Sequence, residues 1–414
     1  MSGSETELEH SLDSWRLKII LPQLGAFSCG FKLRITYQTR PSSRSLHWRQ
    51  DSAGNPCVYT AAASINNRGL FPCQDIPKAL STWRARISVR SEEGSQAALH
   101  VYCTGETEAK VEDAGGLRYH DYHHTTFTLP MSTFAIAVGS WSCRNIDCPH
   151  PAVRFVGPQA VVERTVEAVS RYLPACLSAA QDLLGKFPLA RLDVVLVHRS
   201  FSGLGLSSPH LLFLSPSLLA GDHWSHFVKI SHEVSHAWFG IMIGSLDWSE
   251  AWISEGFATF LEEIIHDSAL TKLGLELPRG LAPLRALLKL ESLQEETENT
   301  PDHLQLLQPV GGREAGAESG AQKFSRNGLN PVAGQTQAHY LKGYFLLHYL
   351  LEISHNKNEF FTLMKVLINA IVLHSGKKYL FPLGLHFPLL RPTGELITLH
   401  KNVLREVQGS HAPH

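Results

Sequence analysis

The pattern of apolar and polar positions divides the chain into two regions. From about residue 15 to 140, short apolar runs rich in β-branched and aromatic residues alternate with polar or Gly/Pro-containing segments, and no long helical period appears. The predicted strands are Leu17–Leu21, Phe31–Tyr37, Val58–Thr60, Ala85–Val89, Ala97–Tyr102, Thr125–Leu129 and Phe134–Gly139. This pattern predicts an antiparallel, β-rich N-terminal domain over residues 1–145.

Beyond about residue 150, helical periodicity alternates with short β-rich runs, which predicts an α+β domain over residues 146–375. The predicted strands are Val153–Val156, Leu192–His198 and Leu211–Leu214, and the predicted helices are Gln159–Leu184, His223–Gly244, Ser249–Asp267, Thr336–Ile353 and Lys357–His374. A polar insertion is expected at about 290–334. The tail, 376–414, has several prolines and no sustained period, so we expect it to be irregular.

Composition and charge narrow the classes of function. The chain has 414 residues with 37 Lys plus Arg, 38 Asp plus Glu and a net charge of -1, which argues against a nucleic-acid partner. No run of apolar residues is long enough to cross a membrane. The N-terminus is acidic and polar and does not resemble a secretory signal peptide. An odd number of cysteines, seven, in a long chain fits a reduced intracellular protein better than a disulfide scaffold. We therefore expect a cytoplasmic protein.

The most informative segment is the HExxH motif His232–His236. Residues four apart lie on one face of a helix, so both imidazoles can bind one zinc ion. We expect Glu255, eighteen residues after His236, to be the third ligand. If the two helices are antiparallel, the chain runs about 12 Å away from His236 along the first helix and about 9 Å back along the second, so Glu255 returns to the level of the histidines. The alternative is an ordinary helix that carries two histidines and no metal.

This motif and its context resemble the gluzincin zinc aminopeptidases, a family that includes leukotriene hydrolase. That family has a W-x-x-E-G-F-A segment around the third ligand, and Trp252 and Glu255–Ala258 match it. The segments LSPSLLAGDHW and NNRGLFPCQDIPKALSTW are also similar to the family, and the similarity runs over roughly residues 15–372. The resemblance implies a β-rich N-terminal domain followed by a thermolysin-like catalytic domain.

The resemblance also implies the roles of particular residues. It implies a single Zn²⁺ ion on His232, His236 and Glu255, with Glu233 as general base. The family's oxyanion donor is a tyrosine in a Y-x-K-G context, which is Tyr340 in HYLKG.

Two other tyrosines compete with Tyr340 by residue type alone. Tyr344 and Tyr349 lie on the same predicted helix, four and nine residues further on. A tyrosine on an apolar helix more often packs in a core than acts on a substrate.

The chain departs from the family where the substrate's free α-amine is bound. The family's G-x-M-E-N strand corresponds to Gly205, Leu206 and Ser207, the predicted substrate-binding residues, and Ser207 takes the position of the glutamate. The family's second amine anchor falls near Ala63. Glu250 is a candidate replacement, although a carboxylate near a helix N-terminus has a structural role of its own.

The sequence leaves two functions open. The first is a zinc aminopeptidase that hydrolyses N-terminal residues from peptide substrates. The second is a zinc-binding but catalytically weak variant that binds peptides or regulates such an enzyme, as the missing amine anchors suggest. Residues after about 375 do not resemble the family's helical C-terminal domain, so we expect a partial or variant form. A nuclear or nucleolar location is possible by resemblance, but the chain has no basic targeting run, and its oligomeric state is open.

Overall fold

The fold is given by a computed structural model. It describes residues 6–13, 16–21, 32–43, 45–60, 67–90, 99–108, 112–114, 117–198, 201, 204–219, 224–245, 248–298, 305, 307, 337–354, 356–373, 379–381, 388–390 and 396–398.

The N-terminal part contains two antiparallel sheets and a small hairpin. The first sheet has the strand order β3-β4-β10-β6, and in the second β9 pairs with β5, β7 and β8. The strands are β1 (His10–Leu12), β2 (Leu17–Ile19), β3 (Leu46–Gln50), β4 (Pro56–Thr60), β5 (Leu80–Arg90), β6 (His100–Cys103), β7 (Thr107–Glu108), β8 (Glu112–Ala114), β9 (Leu117–Pro130) and β10 (Ile136–Gly139). The predicted antiparallel β-rich part is confirmed, but the predicted strand Phe31–Tyr37 is wrong because residues 32–40 form no strand.

The second part is built on a five-stranded sheet. Its strands are β11 (Ser142–Ile146), β12 (Ala152–Gly157), β13 (Arg191–Leu196), β14 (Gly205–Ser208) and β15 (Leu211–Leu214). Their order is β11-β12-β13-β15-β14, in which β12, β13 and β15 are parallel and β14 is an antiparallel edge strand. The central strands are apolar and buried, as expected of strands covered on both faces.

Seven α-helices lie within the described ranges. They are α1 (Gln159–Val169), α2 (Tyr172–Leu184), α3 (Val228–Ser235), α4 (Trp252–Lys272), α5 (Leu281–Glu298), α6 (Ala338–Ile353) and α7 (Lys357–Leu373). With the mixed sheet, they confirm the predicted α+β class. None of the helices in the part of the chain that the structure describes is long and apolar enough to cross a membrane.

Two predicted helices have different bounds in the structure. The single helix predicted at Gln159–Leu184 is two helices, because Pro174 lacks an N–H and is compatible only with the first turn of a new helix, α2. The helix predicted at His223–Gly244 is much shorter, and α3 ends at Ser235. After His236 the backbone bonds become irregular, because Ala237 and Trp238 N–H donate to carbonyls three residues back, whereas Ile241 N–H donates to the His236 carbonyl, five residues back.

The predicted insertion and tail are partly corrected. Residues 290–298, predicted to belong to the polar insertion, form the last turns of α5 because the helical pattern of α5 continues through them. Most of the remaining insertion lies outside the described residues. The tail is not wholly irregular, because it contains β17 (Tyr379–Phe381), which pairs in parallel with β16 (Ile243–Ser245), and the hairpin of β18 (Pro388–Leu390) and β19 (Leu396–Thr398). The domain boundaries themselves stay predictions.

A glycine pair sets the distance between α4 and α6. A Cβ added at Gly343 would lie 2.9 Å from the Gly256 Cα, and one added at Gly256 would lie 3.0 Å from the Gly343 Cα. Real Cβ contacts are essentially never that short, so the two backbones touch only because both residues lack a side chain. The contact brings α6, which carries Tyr340, against the first turns of α4, which carry Glu255.

We predict that Gly343→Ala lowers the free energy of unfolding by about 1–3 kcal/mol, because the added methyl forces the two helices apart. Without that clash, Gly→Ala inside a helix stabilises it by about 1 kcal/mol, so the sign of the change is diagnostic. Urea unfolding followed by circular dichroism measures it. An increase in stability would contradict the close crossing.

Candidate metal centre

Helix α3 supplies the first part of the site. It is only eight residues long, and it ends with the HExxH motif, so that His232 and Glu233 lie in its last turns and His236 is its C-cap. Gly240 then takes a φ of +126°, and a Cβ there would lie 2.8 Å from Ser254 Oγ and 3.2 Å from His236 Nδ1. Glycine at this position therefore allows the chain to turn tightly behind the second histidine.

The three predicted ligands converge. One ligand atom from each of His232, His236 and Glu255 lies within 4.8 Å of the others. The two Nε2 atoms are 3.1 Å apart, and the Glu255 carboxylate lies 3.4 Å from His232 Nε2 and 3.5 Å from His236 Nε2. Glu255 lies in the first turn of α4, which begins at Trp252 rather than at the predicted Ser249, so the return path is shorter than the predicted path of about 9 Å.

The hydrogen bonds on the far side of each ring point the electron pairs toward a common centre. His232 Nδ1 is 2.8 Å from a Glu262 carboxylate oxygen, and His236 Nδ1 is 3.0 Å from the Phe239 carbonyl. Both partners accept hydrogen bonds, so each Nδ1 carries the proton in the neutral ring and each Nε2 presents a lone pair. Two lone pairs and a carboxylate that face one another fit a cation, and nitrogen and oxygen donors suit zinc.

Glu262 and Lys289 support His232 from the side that faces away from the other candidate ligands. Glu262, which accepts the His232 Nδ1 proton, also lies 2.9 Å from Lys289 Nζ on α5. Lys289 reaches Glu263 as well, at 2.7 Å. Burial alone would lower the pKa of His232, but its contacts with the Glu255 and Glu262 carboxylates raise that pKa to about 9 in the metal-free arrangement. The imidazole therefore lies in strongly negative surroundings, which also favour a metal cation.

Glu233 is almost completely buried and is held from two sides. Lys229 Nζ, one helical turn earlier, lies 3.0 Å from one carboxylate oxygen, and the Ser207 hydroxyl donates to the other at 2.9 Å. A Cβ added at Gly205 would lie 2.6 Å from the Glu233 side chain, so β14 packs directly against it. Burial would raise the pKa of Glu233, but Lys229 and the two imidazoles lower it, and the carboxylate stays ionised.

The tyrosines of α6 have different surroundings. Tyr340 is half-buried, and burial together with the negative charge of Glu255 raises its pKa, so the hydroxyl keeps its proton. Tyr344 is buried and donates to Glu263 at 3.5 Å, and Tyr349 is 44% exposed. Glu255, a member of the candidate triad, thus acts on Tyr340, whereas the carboxylates that act on Tyr344 are those of Glu263 and Glu262.

The predicted substrate-binding residues Gly205, Leu206 and Ser207 all lie on the edge strand β14, and the single O–H of Ser207 is shared between the Glu233 carboxylate and the Glu233 carbonyl, 2.7 Å away. Ala63 lies outside the described residues. Glu250 is only 2% exposed and already has an interaction partner, which makes it a poor anchor for a substrate amine.

The sequence reasoning missed Lys229, Glu262 and Lys289. Lys229 and Glu262 could have been found from their helical spacing to predicted site residues. Lys229 precedes Glu233 by four residues, and Glu262 follows Glu255 by seven, so each pair shares a helix face. Lys289 comes from a separate helix, and only the tertiary packing of α5 brings it to the site.

Comparison with known proteins gives a family and several relatives. Residues 167–309 match the model of the peptidase family M1 domain. Human aminopeptidase O is 36% identical over 389 residues, which cover 83% of this chain and 46% of that protein. Aminopeptidase B from Mus musculus is 26% identical over 354 residues, covering 83% of this chain and 48% of that protein. The chain thus spans about half the length of these relatives.

Solved structures show the same fold. Leukotriene A4 hydrolase from Saccharomyces cerevisiae matches with a TM-score of 0.66 at 19% identity, covering 88% of this chain and 53% of that one. An M1 zinc metallopeptidase from Deinococcus radiodurans matches with a TM-score of 0.51 at 17% identity, covering 76% of this chain and 62% of that one. The chain is thus similar to the peptidase family M1 domain over residues 167–309 and to human aminopeptidase O over 83% of its length.

Proposed function

We propose that this chain is a zinc-dependent aminopeptidase that hydrolyses N-terminal residues from peptides. The observation that carries the proposal is the convergence of ligand atoms from His232, His236 and Glu255 within 4.8 Å of one another. Glu233, which directly follows His232 in the sequence, is buried and ionised. Homology to aminopeptidases supports the reaction class. Since the chain spans about half of those proteins, their activity is assigned to it only as part of this proposal.

His232, His236 and Glu255 would hold one zinc ion. Two imidazoles and one carboxylate are a donor set of the kind found in catalytic zinc sites, which keep one coordination position open. Zinc bound in this way supplies a Lewis acid that polarises a carbonyl and lowers the pKa of water to about 7. Glu262 and Lys289 would keep the His232 ring oriented for this role.

Glu233 would act as the general base. Its carboxylate is ionised and lies beside the first histidine, so it can take a proton from the attacking water and return it to the leaving amine. The Lys229 and Ser207 contacts fix both oxygens and leave little freedom for the side chain.

Tyr340 would donate a hydrogen bond to the oxyanion that develops on the scissile carbonyl. A donor must keep its proton at neutral pH, and the raised pKa of Tyr340 meets this requirement. The Gly256–Gly343 crossing brings the helix of Tyr340 close to Glu255.

The edge strand β14 would bind the peptide backbone. An edge strand has unpaired N–H and C=O groups on its outer side, and a peptide can add to them as a further strand. Gly205, Leu206 and Ser207 would contribute these groups directly beside Glu233.

We also propose that the chain has no nucleic-acid partner, because its charges balance. A cytoplasmic location without a membrane partner is proposed because the seven cysteines are an odd number in a long chain and no apolar run is long enough to cross a membrane. The alternative function, a zinc-binding but catalytically weak peptide-binding or regulatory protein, is motivated by the absence of the family's glutamate at Ser207. It predicts a loaded metal site without peptide hydrolysis.

The first test is Glu233→Gln. We expect this variant to bind zinc with unchanged stoichiometry and to lose essentially all hydrolysis of aminoacyl-peptide substrates, because an amide cannot accept the water proton. Metal analysis and a fluorogenic assay measure the two properties. The exposed Glu291→Gln on α5 is the matched control and should retain activity. Unchanged turnover in Glu233→Gln would remove this residue from the mechanism, and an inactive zinc-loaded wild type would favour the alternative function.

For the oxyanion donor, we predict that Tyr340→Phe lowers kcat by about 100- to 1000-fold and leaves zinc binding intact, since only a hydroxyl is removed. Tyr349→Phe removes an exposed hydroxyl from the same helix and should change kcat little. Equal kcat values for the two variants would exclude Tyr340 as the donor.

For the support of His232, we predict that Glu262→Gln weakens zinc binding by about 10- to 100-fold, because the neutral amide holds the imidazole less firmly and adds no negative charge. Competition with a chromophoric chelator gives the zinc Kd. Glu291→Gln again serves as the control, and an unchanged Kd in Glu262→Gln would show that the contact with His232 does not tune the metal site.

A further inference from the structure

A buried polar cluster joins the helices that carry the candidate ligands, and the proposed mechanism does not use it. Its centre is the Tyr172 hydroxyl at the start of α2, which lies 2.7 Å from Ser231 Oγ on α3 and 2.7 Å from His266 Nδ1 on α4. Each of these three residues is 0% exposed. They lie in the main apolar core, where a polar group costs free energy unless it is hydrogen-bonded. One hydroxyl therefore connects three helices inside a core.

The outer members of this Tyr172 cluster lie next to the contact between His232 and Glu262. Ser231 directly precedes the candidate ligand His232, and His266 follows Glu262 by four residues, about one turn further along α4. Glu262 itself lies 2.8 Å from His232 Nδ1. Helices α3 and α4 are thus joined twice within a short distance along their axes, once directly through His232 and Glu262 and once through Tyr172.

The bonding capacity of the Tyr172 hydroxyl assigns the proton of each bond. The hydroxyl also lies 3.2 Å from the Phe227 carbonyl, which can only accept. When Tyr172 donates to this carbonyl, its lone pairs accept from Ser231 O–H and from His266 Nδ1–H, and all three contacts are hydrogen bonds. Burial lowers the pKa of His266 to about 4, so the ring is neutral at pH 7. With its proton on Nδ1, the buried Nε2, which has no partner among the described residues, keeps a lone pair and no N–H.

Removal of this hydroxyl would leave two donors on the ligand-carrying helices without an acceptor. In Tyr172→Phe, Ser231 O–H and His266 Nδ1–H both lose the phenol oxygen. Unpaired donors inside a core cost free energy, and a shift of α3 against α4 would relieve that cost. Such a shift would also displace His232 from Glu262, because the two pairs of residues are neighbours on the same helices.

We propose that Tyr172 is a positioning residue of the metal centre, whose hydroxyl holds α3 against α4 so that His232 stays in contact with Glu262 and faces Glu255. This inference rests on the zinc site of the proposed function, and it adds a residue from a third helix to the support of that site. Loss of an outer support of a metal ligand typically weakens metal binding by about 10- to 100-fold. We expect the lower end of this range, because Tyr172 acts on His232 only through other residues.

The zinc Kd of the full chain tests this role without turnover. We expect Tyr172→Phe to weaken zinc binding by about 10-fold in competition with a chromophoric chelator. Val162→Ala is the matched control, because it truncates a 0% exposed side chain of α1, which packs on β11 and β12, and so destabilises the fold without removing a group from the Tyr172 cluster. Urea unfolding of the zinc-free proteins measures both losses of stability. An unchanged Kd in Tyr172→Phe, or an equal change in Val162→Ala, would overturn the proposal.

Cobalt(II) in place of zinc separates a change in position from a loss of stability. The visible absorption of the bound ion depends on the geometry of its ligands. We expect Tyr172→Phe to change the position and intensity of the absorption bands, whereas Val162→Ala should give the wild-type spectrum. Identical spectra in Tyr172→Phe and the wild type would reject a positioning role.

A second variant covers the case in which Tyr172→Phe does not fold. Ser231→Ala breaks only the bond from Tyr172 to α3, so it should weaken zinc binding in the same direction by a smaller factor, and an unchanged Kd would overturn the proposal. A wild type that binds zinc but hydrolyses no peptide would contradict the aminopeptidase function, and the Kd comparison would still decide the role of Tyr172. A wild type without measurable zinc affinity would overturn both.

Discussion

The arrangement of the candidate metal centre depends on an electrostatic conflict at one point. Two imidazole Nε2 atoms 3.1 Å apart and the Glu255 carboxylate direct electron pairs at the same buried space. The outer nitrogens of His232 and His236 are committed to Glu262 and to the Phe239 carbonyl, so rotating the rings away would break these hydrogen bonds. Such an arrangement is costly unless a positive charge lies at the centre, either a proton on His232, whose pKa is raised to about 9, or a metal ion.

Helix α4 couples this site to the packing of the fold. Its first turn carries Glu255, its third carries Glu262, and Gly256 makes the backbone contact with Gly343 on α6. The position of α4 therefore determines where three groups lie: the candidate ligand Glu255, Glu262 beside the candidate ligand His232, and the helix of Tyr340. A shift of α4 changes all three together, so a packing substitution at the crossing affects the chemistry without touching a functional side chain.

The sequence predicted the convergence of the candidate ligands better than the elements that carry them. The HExxH spacing and the position of Glu255 are local regularities of helices, and the pattern of the N-terminal strands is a regularity of half-buried sheets. The end of α3 at Ser235 was not predictable from apolar periodicity, because the periodicity continues through a stretch where the backbone bonds span three, four and five residues in turn. The role of Lys289 was equally hidden, since it depends on how α5 packs against α4.

In the proposed mechanism, Lys229 affects both metal binding and the strength of Glu233 as a base. It lies on the same helix as both histidines, three residues before His232, so its charge opposes that of a metal cation. Glu233 lies beside the metal ligands and in contact with Lys229, and its negative charge reduces this repulsion. The same ion pair weakens Glu233 as a base, because it stabilises the ionised form.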